Sequence, residues 1–287
     1  MGVLADETGI QFKMLNRSRG GAVQAPRAQC DKARYRRVMK TRLENTPNLV
    51  LMQGIAAEII LRGGGAAGVR TLDGHEIMAA AVVLTPGTFL NGLIHLGLRS
   101  YPAGRANELP SIELSDELKK LGLKLFRLKT GTPMRLDARA IDWDVFVPQP
   151  GDEPPLPFSY RTKRPLENKI ICRSGYTNEN THDVIRRNLD KSPLYSGKIT
   201  GTGPRYCPSI EDKVVKFSHH PRHQFYLEPE GLETNEVYVN GLSSSLPLDV
   251  QEEILRTIPG LDQSRILRPA YGIEYDADLK LGEVTIS

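Results

Sequence analysis

Between Pro148 and Pro157 five of the ten residues are proline, and this stretch sets the sharpest limit on what the chain can fold into. Each proline fixes its own φ and removes a backbone donor, so no regular helix can run through it. From roughly Arg135 to Glu230 the sequence predicts short antiparallel strands joined by long loops. More regular sequence lies on both sides. The chain therefore reads as one domain inserted into another: 1–114, then an insertion over 115–235, then a return over 236–287.

The first part has the pattern of a nucleotide-binding β/α unit. Ala28 to Asn45 is dense in Arg and Lys and predicts an amphipathic helix. Leu49 to Gln53 predicts a short buried strand. Ala57–Arg62, Ala67–Thr71 and His75–Ala79 predict a three-stranded meander, with Gly63-Gly64-Gly65 and Asp73-Gly74 as hairpin turns. Gly63 to Gly68 also spells GxGxxG. Val69 to Gly74, directly after it, reads as strand and turn rather than as a helix N-terminus, so a hairpin tip is the better reading. Ala81 to Leu84 predicts a second buried strand, ending at Thr85-Pro86-Gly87-Thr88. Small residues at such a strand end suit a doubly wound α/β sheet that takes a cofactor there, although an ordinary loop exit has the same letters.

Further on, Ser115 to Gly122 predicts a short helix with Ser115 as its cap, acids first and lysines last. A helix over Asp183–Leu189 capped by Thr181, a strand over Glu236–Val239 and a helix over Leu248–Arg256 are also expected.

Composition removes several classes of protein. A hydrophobic fraction of 39% and a charged fraction of 25% are those of a soluble globular chain. The net charge of +4 permits an anionic partner without demanding one. Cys30, Cys172 and Cys207 are far apart, so neither a zinc site nor a disulfide framework is indicated, and a reducing cytoplasm is the default. No apolar run approaches the ~20 residues of a membrane span. Asp6 and Glu7 interrupt any secretory-signal pattern. In His219-His220-Pro221-Arg222-His223, Pro221 breaks any helical face and no carboxylate pair sits at ligand spacing, so a polar loop is expected and no metal.

One segment concentrates reactive chemistry. Gly201-Thr202-Gly203-Pro204-Arg205-Tyr206-Cys207-Pro208 leads into Ser209-Ile210-Glu211-Asp212-Lys213. Pro208 fits the first position of a helix and Cys207 its cap, where the dipole and nearby Arg205 would favour a thiolate. A buried structural cysteine is the alternative.

That segment resembles a signature of the MnmG/GidA family, whose members modify the wobble uridine of tRNA. Further stretches are similar to the family in the same order: Gly9-Ile10-Gln11-Phe12 with Leu15-Asn16, Thr85 to Gly92, and Arg127-Leu128-Lys129-Thr130-Gly131-Thr132-Pro133. Thr177-Asn178-Glu179, Thr181-His182-Asp183, Leu227 to Gly231 and Ile273-Glu274-Tyr275-Asp276 complete the series. The family opens with a strand–GxGxxG–helix unit and an early cysteine, and closes with a second glycine-rich signature and a helical domain. None of these is found here, and Ala277 to Ser287 departs from the family. The resemblance thus implies the central part of a longer enzyme.

It also implies roles. Cys207 matches a catalytic cysteine, acting as base or as nucleophile at the uracil carbon beside C5. Cys30 and Cys172 match neither family cysteine. For FAD, the implied positions are Ile55 and Ser111, together with Thr85, Gly87 and Thr88 at the strand end. For NADH they are Gly203, Pro204, Arg205, Tyr206, Cys207, Pro208, Ser209, Ile210, Glu211, Asp212, Lys213, Val214, Val215, Lys216 and Phe217. Salt bridges of Arg205 and Lys213 with Glu211 or Asp212 are an equal alternative to phosphate contact. Arg34, Arg36, Arg37, Lys40 and Arg42 form the best basic stripe for tRNA phosphates, against a plainly solvated helix face. The family uses methylenetetrahydrofolate as co-substrate and works as a homodimer with an MnmE-like GTPase. The implied fold is an incomplete FAD/NAD(P)-binding Rossmann-like domain with a mixed, mostly β insertion. A folate- and FAD-dependent tRNA uracil methyltransferase, or an inactive fragment that only binds nucleotide or partner, are the alternatives.

Overall fold

The computed structural model describes residues 1–203 and 208–278. Helix α1 (Gly2–Thr8) leads into β1 (Gly9–Leu15), which pairs antiparallel with β2 (Ala25–Cys30). Helix α2 (Lys32–Glu44) comes next, capped by Asp31, whose carboxylate accepts the Arg34 N–H at 2.9 Å. The helix expected from Ala28 thus begins four residues later, because Ala28 to Cys30 are held in the ladder with β1. It buries no residue, so it is a basic surface helix rather than an amphipathic one docked on a core.

Leu49 to Gln53 does not form the expected buried strand. Val50 is 79% exposed and Met52 59%. Ala81 to Leu84 is likewise no strand, and Val83 is 83% exposed. Both have strand-like side chains but no partner strand among the described residues, and an unpaired strand has nowhere to send its N–H and C=O groups. The meander between them does form: β3 (Ala56–Arg62), β4 (Gly65–Thr71) and β5 (Glu76–Met78) pair in order. Gly63 and Gly64 turn the hairpin at φ 61° and 84°, so the GxGxxG letters are a hairpin tip.

Strands β6 (Leu93–Leu96) and β7 (Arg99–Pro102) form a hairpin before α3 (Ile112–Lys120). Ser111, not Ser115, precedes this helix. Ser115 lies inside it, fully buried, because its hydroxyl is held by Asp276 at 2.6 Å. Then comes the longest strand, β8 (Leu125–Asp137). Beyond it, β9 (Val147–Gln149) takes Pro148 into a strand at the sheet's edge, while the rest of the proline stretch, from 150 on, is irregular; β10 (Cys172–Tyr176) follows. Helix α4 (Glu179–Arg187) starts four residues before the expected Asp183. Its cap is Asn178, and Thr181 is the reciprocal partner in a capping box. Helix α5 (Ile210–Lys216), β11 (Gln224–Pro229), β12 (Glu236–Ser243), α6 (Leu248–Arg256), β13 (Ile266–Arg268) and β14 (Tyr271–Asp278) complete the chain.

The large sheet has nine strands in the order β7-β6-β14-β8-β12-β11-β10-β9, with β13 also on β8. All its ladders are antiparallel. The chain is therefore mixed α/β around a large sheet. Parallel pairing among the described residues is confined to two isolated bridges, Leu90 with Ser111 and Leu128 with Thr202. The main core lies where α4, α5 and α6 cover this sheet. Met134, Leu136, Phe225, Leu227 and Val239 from the strands meet Ile185, Val214 and Ile254 from the helices. Each such side chain contributes about 1.5–3 kcal/mol by leaving water. No helix among the described residues is long and apolar enough to cross a membrane.

Candidate functional site

The site is built around two acids on β14. Glu274 and Asp276 are two residues apart, so they share one face of the strand, and both are buried. Across the ladder they face Lys129 and Arg127 of β8. Asp276 accepts from Ser115 Oγ at 2.6 Å, Lys119 Nζ at 2.9 Å, Arg127 Nη1 at 2.9 Å and Asn91 Nδ2 at 3.3 Å. Burial alone would raise its carboxyl, but the hydrogen bonds from Ser115, Lys119 and Arg127 outweigh it and hold the group below the usual carboxylate range. Arg127 Nη1 also donates to the Asn91 carbonyl at 2.8 Å.

This hub ties down the turn after residue 84. Gly87 adopts φ 57°, and Thr88 Oγ1 donates to the Gly104 carbonyl at 2.6 Å. Gly104 must be glycine, since a Cβ there would stand 2.0 Å from the Phe89 ring. The Ser111 N–H donates to Phe89 O at 2.8 Å, and the Asn91 N–H to Ser111 O at 3.0 Å. Gly87, Thr88 and Ser111 are thereby brought together, with Thr85 two residues upstream of this turn, and the Ser111 hydroxyl caps no helix. Ile55 is half-buried and lies apart, its carbonyl held by the Leu72 N–H at 2.8 Å. Beside it runs a groove of about 460 Å³ between Met52–Ala56, Ala81–Val83 and the meander face.

Glu274 fastens the third segment. Its Oε1 accepts the Gly201 N–H at 2.6 Å and the Thr200 N–H at 3.0 Å, while Oε2 faces His95 Nε2 at 2.8 Å. Burial lowers the His95 pKa, against the opposing pull of Glu274. A Cβ on Gly201 would come to 3.0 Å of both Glu274 Oε1 and the Leu128 carbonyl carbon, so any larger residue would crowd this contact. Thr202 then bonds β8 on both sides, its N–H to Arg127 O at 3.2 Å and its carbonyl to the Lys129 N–H at 3.0 Å. Arg127 thus joins the 85–91 turn to the 200–203 segment within one side-chain length.

Pro204, Arg205, Tyr206 and the expected nucleophile Cys207 lie outside the described residues. The next helix starts later than the sequence suggests. Ser209 caps it, its hydroxyl accepting the Asp212 N–H at 3.3 Å, and Pro208 stands before the helix rather than at its first position. Within α5, Ile210 and Val214 are core residues, while Val215 is half-exposed. Phe217 beyond its end is 44% exposed. Glu211 is fully buried, its Oε1 accepting from Ser244 Oγ and the Ser245 N–H at 3.0 and 2.9 Å. Asp212 pairs with Lys216 at 2.6 Å, and Lys213 Nζ donates to Gly241 O at 2.9 Å.

The remaining cysteines are free thiols. Burial pushes Cys172 up to about 11 and raises Cys30, so neither is an activated nucleophile. His182 is buried, bonded to Thr177 Oγ1 at 2.8 Å and stacked near His223. Along α2, Arg42 pairs with Glu7 and Lys40 with Glu44, while Arg34, Arg36 and Arg37 have no ion pair among the described residues. No cluster of three potential metal ligands occurs among the described residues. The hub residues Arg127, Glu274 and Asp276 belong to family-like stretches of sequence that assigned them no role. Their signal is cross-strand charge, with basic residues at 127 and 129 opposite acids at 276 and 274.

Residues 1–278 match the sequence profile of the family described as "Glucose inhibited division protein A". The tRNA uridine 5-carboxymethylaminomethyl modification enzyme MnmG of Thermodesulfovibrio yellowstonii is 56% identical over 276 residues, 96% of this chain and 44% of that protein. Its counterpart in Pelobacter propionicus is 55% identical over 271 residues, 94% of this chain and 43% of that protein. The Aquifex aeolicus GidA structure in its form I crystal superposes with a TM-score of 0.90 at 51% identity, covering 97% of this chain and 47% of that one. The fold and its acid hub are those of a large-sheet α/β protein built on a cross-strand charge network. The chain belongs to the glucose-inhibited division protein A (GidA) family, and it spans a little under half the length of the relatives it matches.

Proposed function

We propose that this chain is the central part of a flavin-dependent enzyme that modifies C5 of the wobble uridine in tRNA. The observation that carries the reading is the convergence of the 85–91 turn, Ser111 and Thr200–Gly203 on one hub, Arg127 with Glu274 and Asp276. In the proposed arrangement the segments before and after an insertion at 115–235 form a Rossmann-like FAD-binding unit. The residues present fit the cofactor: Gly87 offers backbone at positive φ, the Ser111 hydroxyl caps no helix, and the groove of about 460 Å³ beside Ile55 has room for part of a nucleotide. The half-exposed Phe217 and the glycine turn at 201–203 fit the nicotinamide dinucleotide stretch, 203–217.

FAD when bound would carry electrons, and NADH would reduce it. The Cys207 thiolate would add to the uracil carbon beside C5, making C5 nucleophilic toward the one-carbon unit of methylenetetrahydrofolate. Arg34, Arg36 and Arg37, free of ion pairs among the described residues, would receive tRNA phosphates. A homodimer and an MnmE-like GTPase complete the proposal, with the cytoplasm as its compartment.

Flavin absorbance and fluorescence of the purified chain test the reading. Stoichiometric FAD that NADH bleaches supports it. A well-folded sample that takes up no flavin favours a binding fragment instead, a reading to which the exposed Leu49–Met52 and Val83 also point.

A further inference from the structure

From Pro154 to Leu166 the chain carries no acid, and Arg161, Lys163 and Arg164 follow closely on Phe158 and Tyr160. One buried carboxylate holds this loop. Asp6 of α1 is only 2% exposed. It accepts the Phe158 N–H at 2.7 Å, the Ser159 N–H at 2.9 Å and the Thr162 hydroxyl at 2.6 Å. The Asp6 carbonyl accepts from Arg164 Nη2 at 2.8 Å. A turn closes across the tip, where the Thr162 N–H donates to the Ser159 carbonyl at 3.0 Å. Gly2 lets this turn sit close to α1, since a Cβ there would come to 3.2 Å of Ser159 Cβ.

Tyr160 stands at the tip of the turn and is 99% exposed. The next most exposed aromatic among the described residues, Tyr101, reaches 45%. A single exposed apolar side chain is ordinary on a protein surface. Here, however, the backbone that carries the ring is already ordered by Asp6, so a ligand that covers the ring has little ordering left to do. Arg161 and Lys163 flank the tip, both exposed and without an ion pair among the described residues. The short helix α1 also packs on α2, through Glu7 and Arg42. The aromatic turn and the basic helix thus share one mount.

Unpaired cations select an anionic partner, and a projecting aromatic ring selects one with open flat faces. A duplex hides the faces of its bases in the stack, whereas an unpaired strand offers them beside its phosphates. We infer that Tyr160 is a stacking platform for an unpaired base of RNA, with Arg161 and Lys163 on the neighbouring phosphates. The inference rests on the tRNA substrate proposed for this chain, and it adds that an unpaired stretch of that RNA is gripped at the 159–162 turn.

The test measures dissociation constants of the purified chain, over a range of salt, for unmodified tRNA, for oligouridylate of about ten nucleotides and for an RNA duplex of equal length. The variants are Tyr160→Ala, Tyr160→Phe, which keeps the ring, and Arg161→Gln with Lys163→Gln. All three positions are exposed, and melting curves check folding. Tyr160→Ala should weaken oligouridylate and tRNA about tenfold at an unchanged salt slope, while Tyr160→Phe stays within about twofold of wild type and duplex binding does not change. The charge variant should lower the oligouridylate salt slope by about 1.4. An unchanged slope removes the two phosphate contacts. Oligouridylate affinity within about twofold of wild type in Tyr160→Ala overturns the platform, and tRNA binding that persists in that variant leaves the tRNA reading intact. Equal losses on duplex and single strand also overturn it, because a paired base has no free face. So does a Tyr160→Ala variant that dissociates a dimer of the chain in light scattering while RNA binding holds, which would make the turn a protein contact. Oligouridylate binding that needs the ring, in a chain that binds no tRNA, supports the platform and removes the tRNA reading. A wild type that binds none of the three RNAs overturns both.

Discussion

The sheet built on β8 and the meander at 56–78 use similar strand sequences, yet they are supported very differently. In the first, the central strands pack against helices α4, α5 and α6, and Phe225, Leu227 and Leu136 are fully buried. In the second, a small cluster of Ile59, Leu90, Leu114 and Leu118 carries the packing, and the segments on either side stand exposed. The same residue types are core in one place and surface in the other because burial depends on a partner strand, which hydrophobicity alone does not supply.

The sharpest way to break the comparison is to cut into each region. Phe225→Ala should destabilise the chain by about 3–5 kcal/mol in urea melts. Val83→Ser should change stability by less than about 0.5 kcal/mol. Equal effects would mean that the two regions are not as different as their burial suggests.

Next in size is the hub. Asp276→Asn leaves Arg127 and Lys119 facing a neutral group, and a loss of about 3 kcal/mol is expected. Flavin affinity should fall with it, because Asp276 positions Asn91 and the 85–91 turn through Arg127. Loss of stability with unchanged flavin affinity would separate the hub from the cofactor site.

Acid gives a graded test. Burial, with His182, Lys213 and His220 nearby, lowers the His223 pKa from 6.5 to about 4. Burial lowers His182 as well. Between these values the unfolded chain binds protons that the folded chain refuses, so the stability from the neutral pair is present above about pH 6.5 and is lost as pH falls toward 4. His223→Leu should flatten that part of the pH–stability curve. At the hairpin tip a small effect is expected: Gly63→Ala at φ 61° should cost about 1 kcal/mol and leave the large sheet untouched. Outside stability altogether, reversing Arg36 and Arg37 should lower the salt slope of tRNA binding by about 2.

What could be read in the sequence was what local chemistry decides. Gly63-Gly64 and Asp73-Gly74 announce the meander, the prolines announce the irregular stretch, and Leu248–Arg256 is helical over the expected span. Where two capping residues compete, the tertiary partner chooses. Ser115 is a good cap by type, but Asp276 claims its hydroxyl from a strand 161 residues away. Leu49–Gln53 and Ala81–Leu84 misled because strand propensity says nothing about who is available to pair. Lys129 and Glu274 carried their signal only as a cross-strand register, and no single sequence exposes a register between strands this far apart.

That separation has a consequence during synthesis. Strand β8 takes one neighbour from β12 and another from β14, and β14 is the last described strand of the chain. At roughly 10 residues per second, on the order of 10 s passes between the emergence of β8 and that of β14. Throughout that interval Leu125 to Thr132 presents an open edge, and Arg127 and Lys129 are still without the acids that face them. Two adjacent positive charges on an unpaired strand repel a second copy of the same strand. The residues that organise the finished site would thus also act as guards of the nascent chain, keeping its central strand apart from its neighbours on the same message until β14 arrives.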